Sequence, residues 1–333
     1  MGPLLFAIAG LALAGLAVPV ARRLIRLRHR LATMQSDIVN IQNAVGLSPV
    51  RSAPASVEAE LRERVEFLVN QVAELKAKLR MKEIALEATE AGERAQTRAS
   101  FDWQWKHLAG GDHLPSDPAF MASVKEQICA MTQLPAAWFE GKSVADVGCG
   151  LGRFTFGLLS LGARVTAVDQ SAAGLGRVKE LCAQFGERLT THQANILNDT
   201  IPGTYDLTWS FGVVHHTGST YRAIQTVTRA VKSGGKLFLM IYGYPTATDE
   251  FVQQNNYDRI RRTVRNMTFE DKVTYLQKHF DATQVHGWFD AVSPRINDIL
   301  TFEEVEDLLL ALGLSDVRQT VRHANLHLMA DRR

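Results

Sequence analysis

The chain has 333 residues, with 37 basic and 35 acidic side chains and a formal net charge of +2. This near balance excludes a strongly basic surface of the kind that binds nucleic acid, so we predict no nucleic-acid partner. The cysteines, Cys129, Cys149 and Cys182, show no paired spacing. They are typical of free thiols in a reducing compartment, with neither a disulfide framework nor a zinc site.

An uncharged apolar stretch covers residues 3–21, and five arginines follow it in RRLIRLRHR. At about 1.5 Å per residue this stretch nearly crosses a hydrocarbon core of about 30 Å. A cleavable signal peptide, the alternative, would carry its basic cluster before the apolar stretch. With the positive-inside rule, the sequence predicts residues 1–22 as the transmembrane anchor of a single-pass inner-membrane protein whose remaining chain is cytoplasmic.

Two seams of apolar residues with the 3.5-residue period of a coiled coil follow the arginines. They run from Leu24 to Val45 and from Leu61 to Leu79, and the glycine and prolines of residues 46–56 interrupt them. We predict a coiled-coil stalk over residues 23–98 that makes the chain a homo-oligomer, with a dimer favoured. A single amphipathic helix that lies on the globular domain is the alternative.

Short apolar runs separated by helical patterns begin near residue 99, and this rhythm predicts a mostly parallel α/β sheet over residues 99–333. The predicted strands are KSVADVG, RVTAVD, LTTHQAN, YDLTWSF, GGKLFLMIYG, VRQTV and NLHLMA, the last two as an antiparallel pair. Residues 244–300 form a predicted insertion with its own helices. Thr301 and Glu304 form a capping box that starts the next helix.

Three glycines, Gly148, Gly150 and Gly152, separate the first strand from the first helix in VADVGCGLGRFT. Open α/β sheets bind ligands at this place. The pattern D-x-G-x-G-x-G differs from the G-x-G-x-x-G of nicotinamide-binding proteins, and the carboxylate of Asp146 would repel a pyrophosphate but suits a cationic ligand. Asp169 ends the second strand, where it can accept both hydroxyls of a ribose. An adenosine that carries an amino acid and a positive sulfur meets these demands.

Four motifs in order resemble those of class I S-adenosylmethionine-dependent methyltransferases: VADVGCGLGRF, VTAVDQS, YDLTWSFGVVHHT and AVKSGGKLFLMIYG. The resemblance implies a Rossmann-like, seven-stranded methyltransferase sheet and S-adenosyl-L-methionine as the cofactor. It implies that Asp146 and the three glycines face the methionine part and that Asp169 holds the ribose. Asn195 stands where the family usually has an aspartate that contacts the adenine amino group, and Phe211 of the fourth-strand motif completes the predicted cofactor site.

The fourth strand ends in SFGVVHHT, without the Pro-Pro-aromatic turn of enzymes that methylate base amines and without the carboxylate of metal-dependent catechol enzymes. A neutral imidazole can take a proton from a hydroxyl or an acidic carbon. We therefore predict His216 as general base, with His215 as the second candidate. A histidine that only ties down the loop or packs on the cofactor is the alternative. Adjacent histidines lack the spacing of helix metal ligands, so we predict no metal site.

In this fold the segment after the fifth strand lies over the acceptor side of the cofactor. Candidates to line the substrate pocket come from this segment: Trp288, Phe289, Asp290 and Arg295. The two rings could stack on a sugar or ring, or could instead form the core of the insertion. Before the domain, Phe101, Trp103 and Trp105 in FDWQWKHL either cap the cofactor cleft or contact the stalk.

Taken together, the sequence predicts methyl transfer to a hydroxyl of a membrane-associated or lipid-linked molecule, with a glycan of polysaccharide biosynthesis as the leading acceptor. C- or O-methylation of a quinone-like ring shares every motif and stays open. A non-catalytic membrane scaffold with a degenerate methyltransferase head is the third hypothesis. The intact set of three glycines and two aspartates argues against it, because such a head has no physical need of those residues.

Overall fold

The computed structural model describes residues 59–60, 62–71, 74, 88–108 and 117–333, which fall into two compact units. The first unit contains the described residues up to Thr89 together with Phe251–Asn256, and the second contains those of Glu90–Glu250 and Tyr257–Arg333. The predicted anchor, residues 1–22, and the first coiled-coil seam lie outside the described residues.

No helix within the described ranges is both long enough and apolar enough to cross a membrane. This finding corrects the prediction of a single-pass inner-membrane protein.

In the first unit, the helical residues 62–71 pack on the segment Phe251–Asn256. Phe67 is 2% exposed and meets the ring of Phe251 edge-on, with the centroids 5.3 Å apart. The Asn255 amide donates to the Glu63 carboxylate at 2.9 Å. Coiled-coil pairing through the second predicted seam stays a prediction.

Between residue 88 and the sheet the structure describes two helices. Helix α1 (Ala88–His107) runs without a break through the predicted stalk boundary at residue 98. Helix α2 (Pro118–Thr132) begins where the side chain of Asp117 accepts hydrogen bonds from the amides of Ala119 and Phe120. Proline at its first position has no amide hydrogen to leave unpaired.

Seven strands form one mixed sheet in the order β3-β2-β1-β4-β5-β7-β6. They are β1 (Ser143–Val147), β2 (Arg164–Asp169), β3 (Leu189–Gln193), β4 (Tyr205–Phe211), β5 (Val231–Ile241), β6 (Leu314–Val321) and β7 (Leu326–Arg332). The first five strands are parallel, and β7 lies antiparallel between β5 and β6. The predicted seven-stranded sheet with a final antiparallel pair is confirmed.

Seven further helices connect the strands: α3 (Arg153–Ser160), α4 (Ala172–Leu181), α5 (Thr220–Arg229), α6 (Thr248–Val264), α7 (Phe269–His279), α8 (Val285–Val292) and α9 (Phe302–Ala311). Helices α6 to α8 lie in the predicted insertion. The predicted capping box at α9 is present, with the Thr301 hydroxyl accepting from the Glu304 amide at 3.3 Å.

Apolar side chains cover both faces of the central strands. This agrees with the near-continuous hydrophobic runs in the sequences of these parallel strands. At the centre, Trp209 of β4 and Phe238 of β5 are fully buried and stack with centroids 4.0 Å apart. The strand order reverses between β1 and β4, so the carboxyl ends of these strands open a crevice. The glycine loop after β1 and the histidines after β4 both stand at this crevice.

Candidate active site

The loop between β1 and α3 holds all three glycines in the left-handed region, with φ of 78° at Gly148, 54° at Gly150 and 90° at Gly152. The Gly148 amide donates to the Val168 carbonyl of β2 at 2.7 Å. A β-carbon on Gly148 would lie 2.2 Å from a methyl group of Val213. Glycine is therefore required here for both conformation and space.

Asp169 at the end of β2 fastens this loop. One carboxylate oxygen accepts from the Gly150 amide at 2.9 Å, and the other accepts from the Ser171 amide at 2.8 Å. Each carboxylate oxygen has a second lone pair, so both could still accept from ribose hydroxyls. Burial raises the pKa of Asp169 above its ordinary value.

Asp146 lies under the loop and is 2% exposed. Its carboxylate accepts from the Thr155 hydroxyl of α3 at 2.6 Å. Burial raises the pKa of Asp146 to about 7, and the negative charge of Asp169 adds to the rise. The hydrogen bond from Thr155 acts in the opposite direction and lowers the pKa. A cation bound at this loop would favour the ionised form of both carboxyl groups.

The remaining predicted cofactor residues lie on either side of this loop. The Asn195 side-chain oxygen accepts from the Leu197 amide at 3.0 Å, which leaves it a second lone pair. The ring of Phe211, at the end of β4, packs on Phe154 with centroids 4.7 Å apart. The guanidinium of Arg153 lies 5.2 Å from the centre of the Phe211 ring.

Helix α1 covers the glycine loop. A β-carbon on Gly150 would come within 3.1 Å of the indole of Trp105. The Ser171 hydroxyl donates to Asp102 of α1 at 2.7 Å. One turn earlier, Phe101 meets His216 with ring centroids 5.1 Å apart. Phe101 and Trp105 thus cover the histidine and the glycine loop, whereas Trp103, the third aromatic of this prediction, stacks on Phe289 of the insertion.

His216 is 7% exposed, and its protonation state follows from one contact. Its Nδ1 lies 2.7 Å from the Ile296 carbonyl. A carbonyl can only accept, so Nδ1 carries the hydrogen and Nε2 carries the lone pair. Burial lowers the pKa of His216 to about 4. The imidazole is therefore neutral near pH 7, with Nε2 able to accept a proton.

His215 has the opposite tautomer. Its Nδ1 faces the Tyr242 amide at 3.4 Å and accepts from it, which leaves the hydrogen on Nε2. That Nε2 is buried and has no partner among the described residues. Burial holds the pKa of His215 well below its ordinary value, with His216 contributing. Of the two predicted bases, the geometry favours His216.

The carbonyl that fixes His216 belongs to a short turn, residues 293–297, here called the proline turn. The Thr97 hydroxyl of α1 accepts from the amides of Arg295 and Ile296, at 3.2 and 3.1 Å. The Ser100 hydroxyl donates to the Ser293 hydroxyl at 2.7 Å. Helix α1 thus holds the proline turn in the position that orients the base.

Asp290, a predicted substrate residue, lies beside the start of α3. It interacts electrostatically with Arg153, and Gln104 of α1 lies close enough to affect its pKa. The amide nitrogen of Gln104 lies 3.1 Å from Nε2 of His286. Burial raises the pKa of Asp290 to about 6, although Arg153 and Gln104 lower it. Burial likewise lowers the pKa of Arg153 to about 10.

The other predicted substrate residues are divided between the core and the surface. Phe289 is fully buried and stacks on Trp103 with centroids 5.2 Å apart, while Trp288 stacks on Phe280 at 4.0 Å. Phe289 thus belongs to the hydrophobic core of the insertion and has no surface for a ligand. Arg295 is exposed on the proline turn.

Sequence reasoning missed several polar residues of this site: Thr97, Gln104, Arg153, Thr155 and Tyr242. Tyr242 could have been found, because it directly follows β5 at the carboxyl edge of the sheet where the histidines stand. No local pattern marks Thr97 or Gln104, because both act across long sequence separations.

Residues 145–239 match the family model described as a methyltransferase domain. The matched segment holds the glycine loop, Asp169 and the two histidines, and it supports the methyltransferase resemblance of the sequence motifs there.

Two curated relatives are named ubiquinone biosynthesis O-methyltransferase. That from Dechloromonas aromatica is 33% identical over 101 residues, which are 30% of this chain and 44% of the relative. That from Methylococcus capsulatus is 32% identical over 100 residues, which are 29% of this chain and 42% of the relative. The chain therefore spans less than half the length of these relatives.

A solved structure is also similar. The structure of magnesium protoporphyrin IX methyltransferase from Synechocystis with bound S-adenosylmethionine has 16% sequence identity and a TM-score of 0.45, and the match covers 75% of this chain and 99% of that one.

Two glycines of α4 give a matched test of the close approach at the glycine loop. A β-carbon on Gly174 would lie 2.8 Å from the Gly150 carbonyl, whereas one on exposed Gly176 would meet nothing within 4 Å. We expect Gly174→Ala to weaken binding of S-adenosylhomocysteine at least about tenfold, because the added methyl group would force the backbone of the glycine loop at Gly150 to move. We expect Gly176→Ala to keep the affinity and to stabilise the helix by about 0.5–1 kcal/mol. Calorimetry and thermal unfolding measure both, and equal affinities in the two variants would contradict the assigned loop contact.

The raised pKa of Asp146 predicts a pH-dependent stability without ligand. The pKa of Asp146 is about 7 in the folded state, above the value of 3.8 for an unperturbed aspartate. Between about pH 4 and pH 7 the folded state therefore binds the proton and the unfolded state does not, so the free energy of unfolding falls as the pH rises. Asp146→Asn keeps an acceptor for Thr155 and removes this titration. Relative to the variant, the wild type should lose about 2 kcal/mol of unfolding free energy between pH 5 and pH 7. Urea unfolding at the two pH values measures this, and a constant difference would refute it.

Proposed function

We propose that this chain is an S-adenosylmethionine-dependent O-methyltransferase that acts on an acidic hydroxyl of a ring, with His216 as general base. The observation that carries the proposal is the tautomer of His216. A fixed Nδ1–H and an available Nε2 lone pair stand at the carboxyl edge of the sheet, on the strand next to the glycine loop.

The described residues fit the cofactor. The three glycines allow the left-handed turns that hold the loop close to β2, and Asp169 at the end of β2 presents a carboxylate suited to ribose hydroxyls. Two buried carboxyl groups with raised pKa values, Asp146 and Asp169, suit the positive charge of a sulfonium and an ammonium group. When bound, S-adenosylmethionine supplies an electrophilic methyl group.

His216 accepts the proton that the acceptor loses. As the hydroxyl oxygen becomes a nucleophile, its O–H bond breaks and the proton passes to Nε2, which turns the imidazole into an imidazolium. The Ile296 carbonyl then still accepts from Nδ1–H, and the nearby Asp298 also favours the charged form. Solvent takes the proton once the product has left.

The weak basicity of His216 selects the acceptor class. With a pKa of about 4, this imidazole has less affinity for a proton than an ordinary histidine. A phenol, with a pKa of about 10, gives up its proton far more readily than an aliphatic hydroxyl, whose acidity is closer to that of water at about 15.7. A ring hydroxyl therefore fits this base better than a sugar hydroxyl.

The relatives support the same acceptor class. The two relatives described above are named ubiquinone biosynthesis O-methyltransferase, which agrees with the ring acceptor that the sequence left open. The glycan that the sequence favoured has no such support.

The proposed function predicts that the full chain binds S-adenosylmethionine and methylates a catechol in vitro. His216→Asn should lower kcat by roughly 10²–10⁴ and leave the affinity for S-adenosylhomocysteine unchanged, because the base contributes only to proton transfer. His279→Asn, the same change at an exposed histidine of α7, should keep wild-type kcat. Radiolabelled methyl transfer and calorimetry measure the two quantities. Wild-type turnover in His216→Asn would remove the general base from the mechanism.

The pH profile gives a second test of the base. His216 must be neutral to accept a proton, and its pKa of about 4 keeps it neutral throughout the physiological range. At saturating S-adenosylmethionine, we expect kcat/KM for catechol to show no acid limb near pH 6.5 attributable to histidine, and protonation of the base only toward pH 4. An acid limb near 6.5 that disappears in His216→Asn would contradict the assigned environment.

A further inference from the structure

A cavity of about 350 Å³ lies where α1, the connection between α6 and α7, and the proline turn meet. Three cationic side chains line it, Arg265, Lys272 and Arg295, against one carboxylate, Glu270. No residue of the glycine loop lines it, so the cavity is separate from the proposed cofactor site.

Lys272 is 2% exposed, which is rare for a lysine without an acidic partner. Its ammonium donates to the Ser293 carbonyl at 3.3 Å and to the Ser293 hydroxyl at 3.2 Å, and both acceptors are neutral. Among the described residues no carboxylate contributes to its pKa, and the ring of Phe269 lies 5.3 Å from the ammonium. Burial lowers its pKa to about 8, with Arg295 contributing, so it is still mostly protonated at pH 7.

The two arginines are exposed and add positive charge to the same cavity. The guanidinium of Arg295 donates to the carbonyl of Arg265 at 3.4 Å. Arg265 itself lies 3.6 Å from the carboxylate of Glu93. The carboxylate of Glu270 accepts from the indole of Trp103 at 3.1 Å. The lining therefore holds three cations and one carboxylate, and a second carboxylate, Glu93, pairs with Arg265 from outside the lining.

We propose that this cavity binds a phosphate or diphosphate group of the methyl acceptor. A buried ammonium and two guanidinium forks match the several oxygens and the multiple charge of a phosphate better than the single charge of a carboxylate. The N-cap Thr268 and the first two residues of α7, Phe269 and Glu270, also line the cavity, so the amides at this helix N-terminus add to the positive potential. The volume accommodates more than one phosphate group.

The proline turn links the cavity to the base. Arg295 lines the cavity, and the next residue, Ile296, accepts from Nδ1–H of His216. A phosphate group held at Arg295 would therefore fix one end of an acceptor whose hydroxyl lies near His216. This role rests on the proposed function, whereas binding of the anion itself does not.

Titration of inorganic pyrophosphate into the full chain by calorimetry, at low ionic strength, tests the cavity directly. We expect one site in the wild type and an affinity at least about tenfold weaker in Lys272→Met and in Arg295→Gln. Lys278→Gln, which removes an exposed charge from the same helix outside the cavity, should bind like the wild type. Absence of binding in the wild type, or equal binding in all variants, would overturn the site. Because Arg295 is exposed, its variant keeps the test valid if Lys272→Met does not fold.

Binding of S-adenosylhomocysteine to the same variants separates this inference from the proposed function. We expect the affinity for S-adenosylhomocysteine to be unchanged in Lys272→Met, Arg295→Gln and Lys278→Gln, because none of these residues contacts the glycine loop. A wild type that binds pyrophosphate but not S-adenosylhomocysteine would refute the methyltransferase and keep the anion site.

A pair of test acceptors identifies the source of the phosphate. A catechol with an alkyl phosphate ester should have a lower KM than the same catechol without it, and Arg295→Gln should remove the difference. Equal KM values, with pyrophosphate still bound, would show that the cavity takes a free anion and would overturn the assignment to the acceptor.

Discussion

The close contact between the glycine loop and β2 is the constraint on which the candidate active site depends. The Gly148 amide binds the Val168 carbonyl, and the Gly150 amide binds the Asp169 carboxylate. These bonds pull the loop against the edge of the sheet, where Val213 leaves no room for a side chain on Gly148. The same carboxylate that fixes the loop would hold the ribose, so loop geometry and cofactor recognition share one residue.

Helix α1 and the proline turn supply the other half of the site. Thr97 and Ser100 of α1 bind the turn, and the turn presents the Ile296 carbonyl that sets the tautomer of His216. Further along the same helix, Trp105 covers Gly150. Helix α1 therefore positions Trp105 over the glycine loop and orients the base through the proline turn. It also holds Arg295, which lines the cationic cavity. A shift of α1 would change all three together.

Several charged groups of this region are buried without enough opposite charge or hydrogen bonds to offset the loss of hydration. Asp146 and Asp290 both have raised pKa values because burial disfavours their charged forms, and Arg153 lies close enough to affect both carboxyl groups. Lys272 is buried with only neutral acceptors. Such groups cost stability in the free protein, and this cost is offset when a ligand of opposite charge binds. The carboxyl groups suit a cationic ligand, and the lysine suits an anionic one.

The sequence by itself determined the features that local patterns encode. Short apolar runs separated by helical patterns marked the seven strands and the helices of the insertion. The spacing of Gly148, Gly150 and Gly152 marked the loop, since turn conformation is a local property. Only the tertiary structure decided which histidine can act as a base, because the contact between His216 and Ile296 joins residues 80 positions apart. It likewise buried Phe289 in the core and brought Thr97 to Arg295 across 198 positions. No short pattern encodes such pairs, because packing of whole helices against the sheet, rather than the order of neighbouring residues, brings them together.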